Sequence, residues 1–281
     1  MFQVLAVSTN TYHKFSLEDA LKGISQAGFR YLELACVRGW TEHFALQDFS
    51  EADVKKLEEK CALYKLMISS LSGHSDLSQP EGFENLKKAI DLAVLLGVKI
   101  VNTGTVEKES DLSLFYQHIP ALGNYALNKG IKVGLEIHGD VLKNGEAAKK
   151  IMETINHPAI GINYDTGNCI FYGDSLPEED IVHCLPWIIH IHLKDKIGGY
   201  KVWNFPTLGE GMVNFKKIFS CLLYTSDAAD DLLCVDLGGR RIIKKKKKIQ
   251  HNIIQQNRQI HKRIHILQQC NTAQCTLTEQ N

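Results

Sequence analysis

Three short segments concentrate residues able to do chemistry: LEIHGD at 135–140, NYDTGN at 163–168 and HIHLKDK at 190–196. Each lies where a β-rich run ends, and a strand sends alternate side chains to opposite faces. Glu136 and His138 therefore share one face, Asn163 and Asp165 another, and His190, His192 and Lys194 a third. Strands of a closed parallel sheet are buried on both faces, so an inward carboxylate needs a partner. Carboxylates from neighbouring strands aimed at one axis would repel. A divalent cation resolves that conflict, and imidazole completes a nitrogen and oxygen donor set suited to Mn, Co, Zn or Fe. The competing reading pairs each carboxylate with Lys194 or a backbone donor, and a lone strand histidine is more often a hydrogen-bonded core residue.

The elements that must position these residues are visible as a repeat. Short β-rich runs begin near Gln3, Tyr31, Met67, Val98, Lys132, Ile160 and Ile188, at a spacing of roughly 30 residues, the size of a βαβ unit. Between them lie amphipathic segments with helix punctuation. Ser16 precedes Asp19 by three residues and Ser50 precedes Asp53 likewise, two capping signals, while Gly28, Gly97 and Gly130 stand where helices should end. Strict alternation predicts an α/β chain with a parallel sheet. Seven such units suit an open doubly wound sheet or an incomplete TIM (β/α)8 barrel.

The chemistry at the strand ends favours the barrel. No GxGxxG or GxxxxGK[ST] follows the first run, which ends Ser8-Thr9-Asn10-Thr11, so the usual dinucleotide and P-loop sheets lose their main support. Instead Glu33, His74, Asn102, Asn168 and Asp195 join the residues above at C-terminal strand ends, where a barrel builds its active site.

Composition narrows the class. The chain has 281 residues, 44% apolar and 23% charged, and no apolar run near the roughly 18 residues of a membrane span. Residues 1–220 hold 27 acidic against 22 basic side chains, which offers no broad basic surface for nucleic acid. The first residues lack a basic n-region and a long apolar stretch, so a cytoplasmic chain is expected. Cys36, Cys61, Cys169 and Cys184 are widely spaced without a CxxC pair, and are read as reduced, buried thiols.

The segment from Cys221 reads differently. It resembles the translation of a sequencing-library transposase adapter, with Cys221–Asp230 and Val235–Ile243 flanking an index-length gap and Lys244–Lys248 reading as poly-A. The expected organisation is a truncated barrel over 1–220 and an artefactual tail over 221–281 with no packed structure.

Across residues 1–220 the motifs LELA (32–35), LEIHGD, NYDTGN, HIHLKDK and FPTLGEG (205–211) resemble those of the xylose isomerase-like TIM-barrel superfamily of sugar and sugar-phosphate isomerases and epimerases. The resemblance implies that Glu136, Asp165 and His192 are metal ligands for a divalent cation (Mn, Co, Mg or Zn). It implies a fourth, glutamate ligand on strand eight, which would follow the helix begun at Val213 and so fall where the adapter-like segment begins. Glu136 then serves as catalytic acid/base, moving a proton next to a carbonyl. His138, Asn168, Lys194 and Asp195 become supporting or substrate-binding residues, with Glu33 and His74 at the mouth. Asp195 could instead only cap a loop, and Glu210 lies in the loop before the last helix.

The expected partner is a small-molecule carbohydrate substrate, without nucleic acid or membrane, and a homo-oligomer is compatible with the sequence. Two other readings remain open at this point. One is a dehydratase, lyase or abasic-site endonuclease on the same scaffold. The endonuclease is disfavoured because Thr103 and Asn168 stand where that branch has histidines. The other is a catalytically silent ligand-binding barrel.

Overall fold

In a computed structural model, residues 4–222 are described; the first of two compact units runs to Phe215. The expected tail lies almost wholly outside the described residues. Seven strands form one sheet: β1 (Ala6–Ser8), β2 (Tyr31–Ala35), β3 (Met67–Ser72), β4 (Ile100–Thr103), β5 (Lys132–Glu136), β6 (Ile160–Asp165) and β7 (Ile188–His192). Every neighbouring pair is parallel and the order is β1-β2-β3-β4-β5-β6-β7. That order runs in one direction, which excludes the doubly wound sheet, whose order reverses at a switch point.

The sheet is also curled. His192 on β7 lies 3.0 Å from Glu33 on β2, although five strand spacings of about 4.8 Å would hold those strands roughly 24 Å apart in a flat sheet. Among the described residues β1 pairs only with β2, and β7 only with β6. The fold is a TIM barrel wall of seven strands, with no eighth strand among the described residues.

Helices α1 (Leu17–Gln26), α2 (Glu51–Leu63), α3 (Pro80–Leu95), α4 (Leu112–Asn128) and α5 (Gly145–Ile155) connect the strands. Ser16 and Ser50 each close a capping box with Asp19 and Asp53, satisfying two amide donors at each helix start. The predicted glycines at 28, 97 and 130 all have positive φ, the left-handed geometry that turns each helix into the next strand. Leu32, Leu34, Val133, Leu135, Ile162 and Tyr164 are fully buried, and they alternate with the polar residues of the barrel interior. The four cysteines of this unit are free and buried. Among the described residues no helix is long and apolar enough to cross a membrane.

Two register shifts matter for the interior. One falls between Leu32 and Glu33 and sets Ser70 opposite Glu33. The second falls between Ile162 and Asn163, setting His190 opposite Asn163 and His192 opposite Asp165. A one-residue slip inverts the facing of a strand, so these irregularities bring the polar residues of adjacent strands onto the same, inner side. Gly134 fits between them because a Cβ there would stand 2.5 Å from Asn102 Oδ1.

Candidate metal centre

β6 passes directly into α6 (Thr166–Gly173), and Asp165 caps that helix. Its Oδ1 accepts the amides of Gly167 at 3.0 Å and Asn168 at 2.8 Å, which holds Oδ2 toward the barrel axis. Oδ2 pairs with the Lys194 ammonium at 2.8 Å. Glu136, the last residue of β5, is buried and points at the same place. Its Oε2 lies 3.3 Å from His192 Nδ1 and 2.9 Å from His74 Nε2. His192 Nδ1 is 3.9 Å from Asp165 Oδ2. One donor atom from each of Glu136, Asp165 and His192 lies within 4.8 Å of the other two.

Two buried carboxylates and an imidazole converging on one point form a hard, mixed oxygen and nitrogen donor set. Asp165 Oδ2 is buried and takes its positive partner from Lys194, a place that a divalent cation would also fill. Glu136, Asp165 and His192 therefore fit a divalent cation.

Charge balance shows how the cluster stands without one. Burial pushes the Glu136 carboxyl up, but the His192 and His74 rings outweigh it and hold it well below the usual carboxylate range. For Asp165 burial prevails and the shift is upward, opposed by Lys194. Burial would lower His192, yet Glu33 and Glu136 on either side raise it well above the ordinary imidazole value. Lys194 is raised in the same way by Asp165 and Glu136. Imidazolium and ammonium thus neutralise the carboxylates.

The other expected site residues divide. His74 follows β3, with Nδ1 3.0 Å from Ser72 Oγ and Nε2 on Glu136. Asn168 donates Nδ2 to the Ile137 carbonyl at 3.0 Å and toward Glu136 Oε1 at 3.4 Å. Lys194 reaches Asn168 Oδ1 at 3.4 Å. Glu33 is 2% exposed and sits on the far side of His192 from Glu136, with Oε1 3.0 Å from His192 Nε2.

Two expectations change. β5 ends at Glu136, so His138 leaves the strand alternation; it bridges to Leu142 and packs on Tyr172, with Nε2 3.2 Å from the phenol oxygen. It occupies the rim. Asp195 does not join the cluster at all: its carboxylate accepts the amides of Lys196, Gly209, Gly211 and Val213 at 2.8–3.1 Å. It clamps the loop after β7. Ser70 and Ser72 were missed, although the alternation of MISSLSG could have placed both on the inner face.

A profile of the xylose isomerase-like TIM barrel matches residues 21–249. An inosose dehydratase of Geobacillus thermodenitrificans (strain NG80-2) is 27% identical over 134 residues, 41% of this chain and 43% of that protein. The chain spans less than half the length of the curated relatives it matches. A xylose isomerase-like TIM barrel protein from Mycobacterium smegmatis, solved in complex with magnesium, superposes with a TM-score of 0.69 at 20% identity, over 80% of this chain and 88% of that one. A D-allulose 3-epimerase from Methylomonas sp., solved in complex with D-allulose, gives 0.60 at 20% identity over 79% and 80%.

Proposed function

The chain belongs to the xylose isomerase-like TIM-barrel family, and from that premise we propose a divalent-metal-dependent isomerase or epimerase acting on a small sugar or sugar phosphate. The observation that carries this reading is Glu136: a buried carboxylate, ionised by its neighbours, standing beside two further cation donors at the strand ends. A bound divalent cation would supply a Lewis acid for the substrate's carbonyl oxygen. Glu136 would take the proton from the carbon next to that carbonyl. His74, 2.9 Å from the same carboxylate oxygen, would steady the ionised form by donating its Nε2–H. Asn168 and Lys194 would orient substrate oxygens from the opposite side.

Dehydration is the second reading, favoured by the inosose dehydratase match. It begins with the same proton abstraction and differs in expelling a β-hydroxyl, so the Glu136 geometry serves both. The deciding experiment is solvent-deuterium exchange with Mn²⁺ or Co²⁺ on a panel of ketoses, their phosphates and cyclic polyol ketones, read by mass spectrometry. Deuterium gain at constant mass otherwise supports isomerisation or epimerisation. Loss of water without prior exchange supports the dehydratase. Binding with neither outcome in a metal-loaded protein would sink both in favour of a silent barrel.

A further inference from the structure

We infer that Glu33 is a positioning residue for the cation site, fixing the His192 ring so that Nδ1 is the nitrogen offered to a metal. The inference rests on the metal reading proposed above and assigns Glu33 a role other than the substrate contact expected from its place at the mouth.

Glu33 is held from three strands. Its Oε2 accepts Ser70 Oγ on β3 at 3.1 Å and Asn102 Nδ2 on β4 at 2.7 Å. That leaves Oε1 for His192 Nε2 at 3.0 Å. A carboxylate only accepts, so Nε2 must carry the proton. Asn163 packs along the same ring edge: its Oδ1 takes His190 Nδ1 at 3.0 Å, and its Nδ2 lies 3.1 Å from His192 Nδ1 and 3.4 Å from Nε2. Nδ1 is the nitrogen that faces Glu136 and Asp165, so a cation shared with those two carboxylates would take the place of a proton on Nδ1, while Nε2 keeps its proton on Glu33. The proton on one imidazole nitrogen decides which nitrogen can ligate, and a carboxylate behind a ligating histidine commonly strengthens metal binding.

Glu33, His190 and His192 also form a second group whose donor atoms lie within 4.8 Å of one another. A cation there would need the same His192 nitrogen that Glu33 already engages. The two uses compete, which makes the proposal testable.

The experiment is Co²⁺ titration of the 281-residue chain by calorimetry, with Glu33→Gln, Glu33→Leu and His190→Asn beside the wild type. Zn²⁺-loaded ¹⁵N-labelled protein gives the His192 tautomer by two-bond nitrogen–proton correlation. The wild type should bind one cation, with Nδ1 metal-bound and Nε2 protonated. Glu33→Gln keeps an acceptor for Nε2–H and the fold, and should weaken binding about tenfold to a hundredfold. Glu33→Leu should weaken it further and show mixed tautomers, while His190→Asn should leave affinity within about twofold. Unchanged affinity and tautomer in both Glu33 variants would overturn the inference alone. Two bound cations, one lost with His190, would overturn it in favour of a second site. A wild type that takes up no cation would overturn both this inference and the metal reading.

Discussion

The Nε2 of His74 stands 2.9 Å from Glu136 Oε2, while its Nδ1 is held 3.0 Å from Ser72 Oγ. The ring is fixed at both ends and presents one nitrogen to the carboxylate assigned the proton transfer. Glu136→Gln should lower proton exchange by about 10²- to 10⁴-fold while circular dichroism stays unchanged. His74→Asn should lower it less, by about tenfold, since the base remains. Equal exchange by Glu136→Gln and the wild type would remove Glu136 from the chemistry.

Lys194 shares Asp165 Oδ2 with the proposed cation. Lys194→Met removes the ammonium from a part-exposed ion pair and should cost the metal-free chain about 1 to 2 kcal/mol. Adding Co²⁺ should raise the melting temperature more in the variant than in the wild type, because two positive charges no longer compete for one carboxylate. A smaller rise in the variant would speak against the shared position.

Stability should depend on pH in two directions. Glu33 and Glu136 are lowered from 4.5 against the push of burial, so their stabilisation is present above that value and is lost as pH falls toward the folded values. His192 is raised from 6.5, so its stabilisation is present below that value and is lost as pH rises through the raised one. Asp165, raised from 3.8 by burial, works against folding above 3.8. Thermal melts in chelator should therefore peak between about pH 5 and 6.5. A melting temperature that keeps climbing above that window would contradict the assignment.

Asp195 supports a different expectation. Its carboxylate holds four backbone amides of the loop after β7, so Asp195→Ala leaves donors unpaired and should cost about 3 kcal/mol. Cation affinity per folded molecule should be unchanged. A tenfold loss of affinity without loss of stability would return Asp195 to the site.

The strands were legible because alternation and spacing survive without tertiary context. Six of the seven expected starts agree within two residues, and the first strand begins at Ala6, three residues after its expected start, with Val4 and Leu5 described but outside it. The convergence of Glu136, Asp165 and His192 was legible for the same reason, since each ends a strand on the inner phase. The roles of Glu33 and Asp195 were not. The partner of Glu33 lies five strands away across the barrel, and those of Asp195 are backbone amides, which carry no sequence signal. His138 was misplaced by a strand that stops two residues earlier than its pattern suggests.

Glu33 and His192 are separated by 159 positions, and that distance orders events during assembly. Synthesis delivers β2 long before β7, so the acid exists in the chain well ahead of the base that neutralises it. Until β7 arrives, drying the inner face would strand an unpaired negative charge in an apolar surrounding. The polar interior would thereby act as a checkpoint: the outer, helix-facing layer is free to condense early, and drying of the barrel lumen would be favoured only once the last described strand docks.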